Sequence, residues 1–142
     1  MIVKSFELQK INLVRDKLLL FYGDNEGFKK QVIEKLIENK NNIYSYEENQ
    51  ILDNENNFLN ELFSKSLFEK EKIIIIKRSS DKIFKIIQEV YNQNIEDIVI
   101  IIDSKTLEKK SKLRKFFETN KNVNVVPCYK ENSVSLRKLL LN

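Results

Sequence analysis

Two glycines stand where a chemically active loop could lie. The stretch LLLFYGDNEGFKK contains both glycines of the chain, Gly23 and Gly27, between an apolar run and a lysine-rich segment. Phosphate-binding loops occupy this kind of position, between a strand and a helix. Their backbone N–H groups cradle phosphates, a lysine reaches the phosphates and a hydroxyl holds magnesium. The first hypothesis for this stretch is therefore nucleotide binding.

The spacing and the residue types do not fit that chemistry. In the motif G-x-x-x-x-G-K-[ST] the glycines are five positions apart, whereas Gly23 and Gly27 are four apart. Phe28 stands directly after the second glycine, where the motif has lysine, and no serine or threonine follows. Two acidic residues inside the loop, Asp24 and Glu26, would repel a polyphosphate. The loop is therefore expected to be degenerate and not to bind nucleotide.

A structural turn is the alternative for this stretch. Glycine supplies positive φ angles or permits close backbone packing, and either property could account for Gly23 and Gly27. The two lysines that follow, Lys29 and Lys30, are then expected to lie on a solvent-exposed helix face.

One carboxylate could still serve a magnesium ion. The run IVIIID ends at Asp103, which has the form of the magnesium-holding strand of ATPases with a phosphate loop. Clamp-loader-type ATPases have a glutamate base in the next position, but Ser104 and Lys105 follow here, so no base is available to activate water. Helix capping is the favoured role for Asp103.

Composition excludes further classes of function. The chain has 142 residues, a net charge of +4, no histidine and a single cysteine, Cys128. Zinc sites of the usual His/Cys kinds, Ser-His-Asp triads and Cys-His nucleophiles are therefore excluded. The apolar runs are far shorter than the roughly 20 residues that cross a bilayer, and the N-terminus has no signal core. A cytoplasmic protein with no membrane partner, no cofactor and no catalytic activity of its own is expected.

Extended apolar runs alternate with helical periodicities along the chain. This order predicts βαβ units, and runs of consecutive isoleucines indicate strands that are buried on both faces. The expected fold is a three-layer, doubly wound α/β domain with a five-stranded parallel sheet in the order 5-1-4-3-2, similar to ATPases with a phosphate loop. The predicted strands are 17–24, 42–51, 72–78, 97–103 and 123–128, and the predicted helices are 27–39, 54–68, 79–94 and 106–120.

The segment SKSLFEKEK does not fit a simple core pattern. Leu67 and Phe68 stand together among charged residues, and neighbouring helical positions point about 100° apart, so one narrow stripe cannot hold both. Both side chains could turn into the core. The pattern alone favours that interpretation; the alternative is a displayed apolar pair rimmed by charge, which is typical of a partner-binding site.

Three blocks of the sequence, in order, resemble the N-terminal domain of the bacterial DNA polymerase III delta subunit. They are LLLFYGDNEGFKKQVIEKL, LFSKSLFEKEKIIIIKR and DIVIIIDSKTLEKKSKLRKFF. The second block contains the family's S-L-F element, here Ser66, Leu67 and Phe68. That family belongs to the clamp loader, the machine that opens the ring-shaped beta sliding clamp and places it on primed DNA.

The resemblance implies a function for the leucine–phenylalanine pair. Leu67 and Phe68 would insert into a hydrophobic cleft of the beta clamp, with Ser66 beside them, and the domain would help to open the ring without hydrolysing nucleotide. Lys65 replaces an apolar residue that is frequent in the family, which places an accessory contact in doubt. The other clamp-loader subunits, gamma or tau and delta prime, would be contacted through lid and collar domains that this sequence does not contain.

The resemblance also implies a division of the chain. Residues 1–130 would form the α/β domain, and residues 131–142 would begin a helix of the following lid domain. Two alternatives from other classes remain open, a working nucleotide-binding ATPase and a generic nucleic-acid-binding domain. The second rests on the basic segment 105–115, which could face DNA or another subunit, although a solvated surface is the favoured interpretation.

Overall fold

Five parallel strands form one sheet in the order β2-β3-β4-β1-β5. This is the strand order predicted from the sequence, read from the other edge, and that prediction is confirmed. The computed structural model describes residues 1–65, 71–94 and 96–130. The strands are β1 (Leu18–Tyr22), β2 (Ile43–Glu47), β3 (Lys72–Ser79), β4 (Ile98–Ser104) and β5 (Val123–Pro127).

Helices cover both faces of the sheet and produce three layers. On one face, α1 (Glu26–Leu36) packs with an N-terminal 3-10 helix (Ser5–Lys10). The other face carries the remaining helices, α2 (Glu48–Leu52), α3 (Glu55–Lys65), α4 (Phe84–Gln93) and α5 (Lys112–Thr119). Residues at alternate positions of the central strands enter one core or the other, as two-sided burial requires. None of the helices in the described ranges is long and apolar enough to span a membrane.

The second strand is shorter than predicted. The predicted strand 42–51 ends at Glu47, because α2 begins at Glu48. The Gln50 side chain accepts a hydrogen bond from the Glu47 N–H at 2.8 Å, and Glu48 is buried, where its carboxylate accepts from the Ser80 N–H and hydroxyl. Two of these three hydrogen bonds join residues 32 positions apart, and together the three favour the helical turn over a longer strand.

The basic helix is also shorter than predicted. It was expected over 106–120, but α5 begins at Lys112 after a loop, and its N-cap is Ser111, not Asp103. Asp81 determines this start from a distant part of the chain. Its carboxylate accepts from the Ser111 hydroxyl at 2.5 Å and from the Lys112 and Leu113 N–H groups at 3.1 and 3.2 Å. Ser111 itself caps α5 locally, because its hydroxyl accepts from the Arg114 N–H at 3.2 Å, and only the contribution of Asp81 leaves no local signal in the sequence.

Two helical segments begin at caps that are local in the sequence. Asn54 caps α3, since its side chain accepts from the Asn57 N–H at 3.1 Å, and Ser80 caps the 3-10 turn before α4. The predicted helix 54–68 is observed as far as Lys65, and the rest of it lies outside the described residues. The same holds for the predicted helix start at 131–142.

Candidate functional site

The turn between β1 and α1 lies at the carboxyl edge of the sheet, where a phosphate loop would bind nucleotide. β1 is flanked by β4 and β5, so the turn after Tyr22 lies between the ends of those two strands. Ligands of open parallel sheets bind at such an edge, next to the strand where the connections change direction. The position expected from the sequence is therefore present.

The N–H groups of this turn are engaged by the protein itself. The Gly23 N–H donates to the Lys105 carbonyl and the Asn25 N–H to the Cys128 carbonyl, each at 3.1 Å. The Phe28 N–H donates to Asn25 Oδ1 at 3.0 Å, which caps α1. In a working phosphate loop, N–H groups of this kind face the phosphates. Here these three donate to acceptors of the protein itself.

The two glycines have different roles. Gly23 has a φ of +129°, and a Cβ atom placed on it would lie 2.0 Å from the Cys128 carbonyl oxygen. Both features require glycine there, and the expectation of positive φ and close packing is confirmed for this residue. Gly27 lies within the first turn of α1, and the nearest atom to its added Cβ is 3.8 Å away. The packing expectation is therefore wrong for Gly27.

Lys29 does not lie on a solvent-exposed face, and that prediction is wrong. Its side chain is 1% exposed, and its ammonium group contacts three oxygens. Lys29 Nζ lies 3.1 Å from Asp103 Oδ1, 2.8 Å from Glu26 Oε1 and 2.6 Å from the Ser104 carbonyl oxygen. The helical periodicity does not predict this contact, because Lys29 only adjoins the apolar stripe of α1 and two of its three acceptors belong to β4. Lys30, by contrast, is exposed as predicted.

Asp103 is the partner of Lys29, so the expectation that it caps a helix is also wrong. Burial raises the pKa of the Asp103 carboxyl above its ordinary value, while the Lys29 ammonium opposes that rise. The ammonium thus lies beside the carboxylate that the sequence suggested as a magnesium ligand. No cluster of three or more metal-binding side chains occurs in the described ranges. The positive charge beside Asp103 is that of Lys29.

The remaining site residues predicted from the sequence are the clamp-contacting ones. Ser66, Leu67 and Phe68 lie outside the described residues. The residues on either side are described: α3 ends at Lys65, and Glu71 precedes β3 at the amino-terminal edge of the sheet. Glu71 also lines a groove of about 790 Å³ at that edge, together with Val14 and Tyr91. This groove therefore lies at the edge of the sheet opposite the degenerate phosphate loop.

The fold and this loop together define a class of protein. It is a three-layer α/β protein with a five-stranded parallel sheet, in which the position of a phosphate loop is filled by the protein's own groups.

Comparison with known proteins adds one distant relative. The chain is 25% identical over 141 residues to a protein of Rickettsia prowazekii (strain Madrid E) named as a probable DNA polymerase III subunit delta. The match covers 97% of this chain and 42% of that protein, so this chain spans less than half of its relative's length. No family model matches the chain.

Proposed function

We propose that this chain acts in DNA replication as the N-terminal domain of a clamp-loader delta subunit, which binds the beta sliding clamp without hydrolysing nucleotide. The observation that carries the proposal is the similarity to a probable DNA polymerase III subunit delta along 97% of the chain. The filled phosphate-loop position supports the part of the proposal that concerns nucleotide. In an intact clamp loader, the other subunits and primed DNA would be further partners.

The proposed contact is the pair Leu67 and Phe68, with Ser66 beside it. Burial of one leucine and one phenylalanine contributes roughly 3–6 kcal/mol in total, at about 1.5–3 kcal/mol for each side chain. A micromolar complex requires about 8 kcal/mol. Neighbouring contacts must therefore supply the rest. The pair could promote ring opening without ATP at this subunit if it binds the open ring better than the closed one, because the difference in affinity shifts the population.

The test is calorimetric titration of a bacterial beta clamp with the wild-type chain and with the double variant Leu67→Ala, Phe68→Ala. The variant should retain the circular dichroism spectrum of the fold and lose measurable binding. Ile2→Ala is the matched control, since Ile2 is an apolar side chain that is 44% exposed and pairs with Val125 of β5, at the edge strand farthest from β2, and it should bind as the wild type does. Unchanged affinity in the double variant would refute the assignment of the contact.

A nucleotide-binding ATPase is the enzymatic alternative. The melting temperature of the protein with and without Mg-ATP distinguishes it from the proposed function. A ligand that binds only the folded state raises Tm by mass action. With the N–H groups of the turn engaged and Lys29 paired to Asp103, we expect no rise in Tm at millimolar Mg-ATP. A clear rise would favour the ATPase alternative.

Nucleic-acid binding is a second candidate function, favoured by the basic segment 105–115. Lys105, Lys109 and Lys112 are exposed and make no ion pair within the described part of the chain, whereas Lys110 lies 3.4 Å from Glu108. Phosphate contacts by lysine make affinity fall steeply with salt. The double variant Lys109→Glu, Lys112→Glu should weaken duplex DNA binding and reduce that salt dependence if this segment contacts DNA, and should change neither if the segment is only a solvated surface.

A further inference from the structure

The segment after β5 is held by the turn between β1 and α1. The two are far apart in the sequence, since their side-chain hydrogen bonds join residues 104 and 106 positions apart. The Cys128 N–H first donates to the Tyr22 carbonyl at 2.6 Å, which continues the pairing of β5 with β1 past the end of the sheet. Residues 128–130 then pass directly over residues 23–25.

Each of these three consecutive residues makes a hydrogen bond to the turn. The Cys128 carbonyl accepts from the Asn25 N–H at 3.1 Å, and the Tyr129 carbonyl accepts from Asn25 Nδ2 at 3.3 Å. The Lys130 N–H donates to Asp24 Oδ1 at 3.2 Å. Asp24 and Asn25 therefore engage polypeptide backbone at the place where a phosphate loop would engage phosphate.

Asn25 has two functions in this arrangement. Its Oδ1 accepts from the Phe28 N–H and caps α1, while its Nδ2 donates to the Tyr129 carbonyl. An aspartate could supply the cap but not the second bond, because an ionised carboxylate has no donor. The start of α1 and the segment after β5 are thus joined by a single side chain.

Packing holds the segment from its other side. The Tyr129 ring lies edge-on to the buried Tyr22 ring, with the ring centres 6.0 Å apart. The Arg114 guanidinium lies 4.9 Å from the centre of the Tyr22 ring and joins α5 to the same group. The backbone of Gly23 also packs closely against the Cys128 carbonyl, so the turn and the segment after β5 are in direct contact.

We propose that residues 23–25 act as a clasp, which fixes the direction in which the chain leaves the sheet after β5 and ties it to the start of α1. The clasp continues through α1, because Lys29 of that helix is bound to Asp103 and to the Ser104 carbonyl at the end of β4. Three strand ends, those of β1, β4 and β5, are therefore joined in one hydrogen-bonded network. The clasp goes beyond the proposed clamp binding and does not depend on it.

The test is hydrogen exchange of individual backbone amides in two pairs of variants. Asp24→Ala removes the acceptor of the Lys130 N–H, and we expect exchange at that amide to rise about fivefold, the change expected from one hydrogen bond of ordinary net strength. Asp24→Asn keeps an oxygen acceptor and should show most of the wild-type protection. Asn25→Asp keeps the cap of α1 and removes the donor to Tyr129, whereas Asn25→Ala removes both.

The clasp predicts a specific pattern among these variants. Asn25→Asp should raise exchange at residues 128–130 while the amides of α1 remain protected, and Asn25→Ala should raise exchange at both. Asp53→Ala, which alters an exposed turn between α2 and α3, is the control and should change neither. Wild-type exchange at Lys130 in both Asp24→Ala and Asn25→Asp would overturn the proposal. Calorimetry with the beta clamp tests the proposed function separately, because Leu67 and Phe68 are untouched in all of these variants.

Discussion

Lys29 and Asp103 form an ion pair, with Nζ 3.1 Å from Oδ1, that joins the first turn of α1 to the end of β4. In an active ATPase, a lysine one position before Lys29 would reach the phosphates, and an aspartate at the place of Asp103 would hold magnesium. Here the members of the ion pair neutralise each other, and Glu26 and the Ser104 carbonyl complete the surroundings of the ammonium group. The pair therefore joins α1 to the end of β4 at the position where an active ATPase binds its nucleotide.

Removal of this ammonium should destabilise the protein. Lys29→Met preserves the length of the side chain but leaves the Asp103 carboxylate partly buried without its cation. Loss of one partner from a fully buried pair costs about 3–5 kcal/mol, and because Asp103 is partly exposed we expect roughly 2–3 kcal/mol here. Urea unfolding, followed by circular dichroism, measures the change in the free energy of unfolding.

Two further variants test the cause of this loss. Lys35→Met removes a lysine from the same helix, where Lys35 and Glu38 form an exposed ion pair at 3.2 Å, and should cost less than about 1 kcal/mol. Lys29→Met with Asp103→Asn should be more stable than the sum of the two single changes predicts, because residues in contact are not additive. Strict additivity would mean that Lys29 acts through packing and not through Asp103.

The two glycines should respond in opposite ways to alanine. Gly23→Ala places a Cβ 2.0 Å from the Cys128 carbonyl oxygen at a φ of +129°, so the turn or the end of β5 must move. We expect a loss of about 3 kcal/mol or more in the free energy of unfolding, in the range of strained backbone sites.

Gly27→Ala is the matched comparison. Its Cβ meets nothing closer than 3.8 Å, and alanine is favoured over glycine inside a helix by roughly 0.5–1 kcal/mol. This variant should therefore melt at the wild-type temperature or slightly above it. Equal destabilisation by both substitutions would contradict the different roles assigned to the two glycines.

The architecture could be predicted from the sequence because its signals are local. Runs such as residues 73–76 and 98–102 have no polar position that could face solvent, which indicates a sheet covered on both sides. Right-handed crossovers then leave few strand orders, and the one predicted is observed. The caps supplied by Asn54 and Ser80 are local in the same sense, because each caps the turn that follows it directly.

The errors share a physical cause, which is that a distant partner determines the local structure. The buried ammonium of Lys29 depends on β4, and the short second strand depends on the contact of Glu48 with Ser80. The late start of α5 depends on Asp81. A charged residue beside an apolar stripe is predicted to be solvent-exposed unless its partner is known. The clamp-contact prediction for Leu67 and Phe68 depends on resemblance and stays a prediction.

The cap that Asp81 supplies to α5 should make stability depend on pH in the acid range. Burial acts to raise the pKa of Asp81, but hydrogen bonds from the Ser111 hydroxyl and from the Lys112 and Leu113 N–H groups outweigh it, so the pKa lies below its ordinary value. The folded state then binds fewer protons than the unfolded state. Stability from this group is consequently present above about pH 4, the ordinary carboxyl range, and is lost as the pH falls through the lowered pKa of the folded state.

Asp81→Asn removes this titration while keeping a side chain of similar shape. The variant should be less stable than the wild type at pH 7, because an amide is a weaker acceptor than a carboxylate, and the difference should shrink as the pH falls towards 3. Ser111→Ala removes one of the three donors, so it should reduce the pH dependence without abolishing it. Urea unfolding at half-unit steps between pH 3 and pH 7 measures the differences, and a gap between wild type and Asp81→Asn that stays constant over this range would show that the carboxylate charge does not stabilise the start of α5.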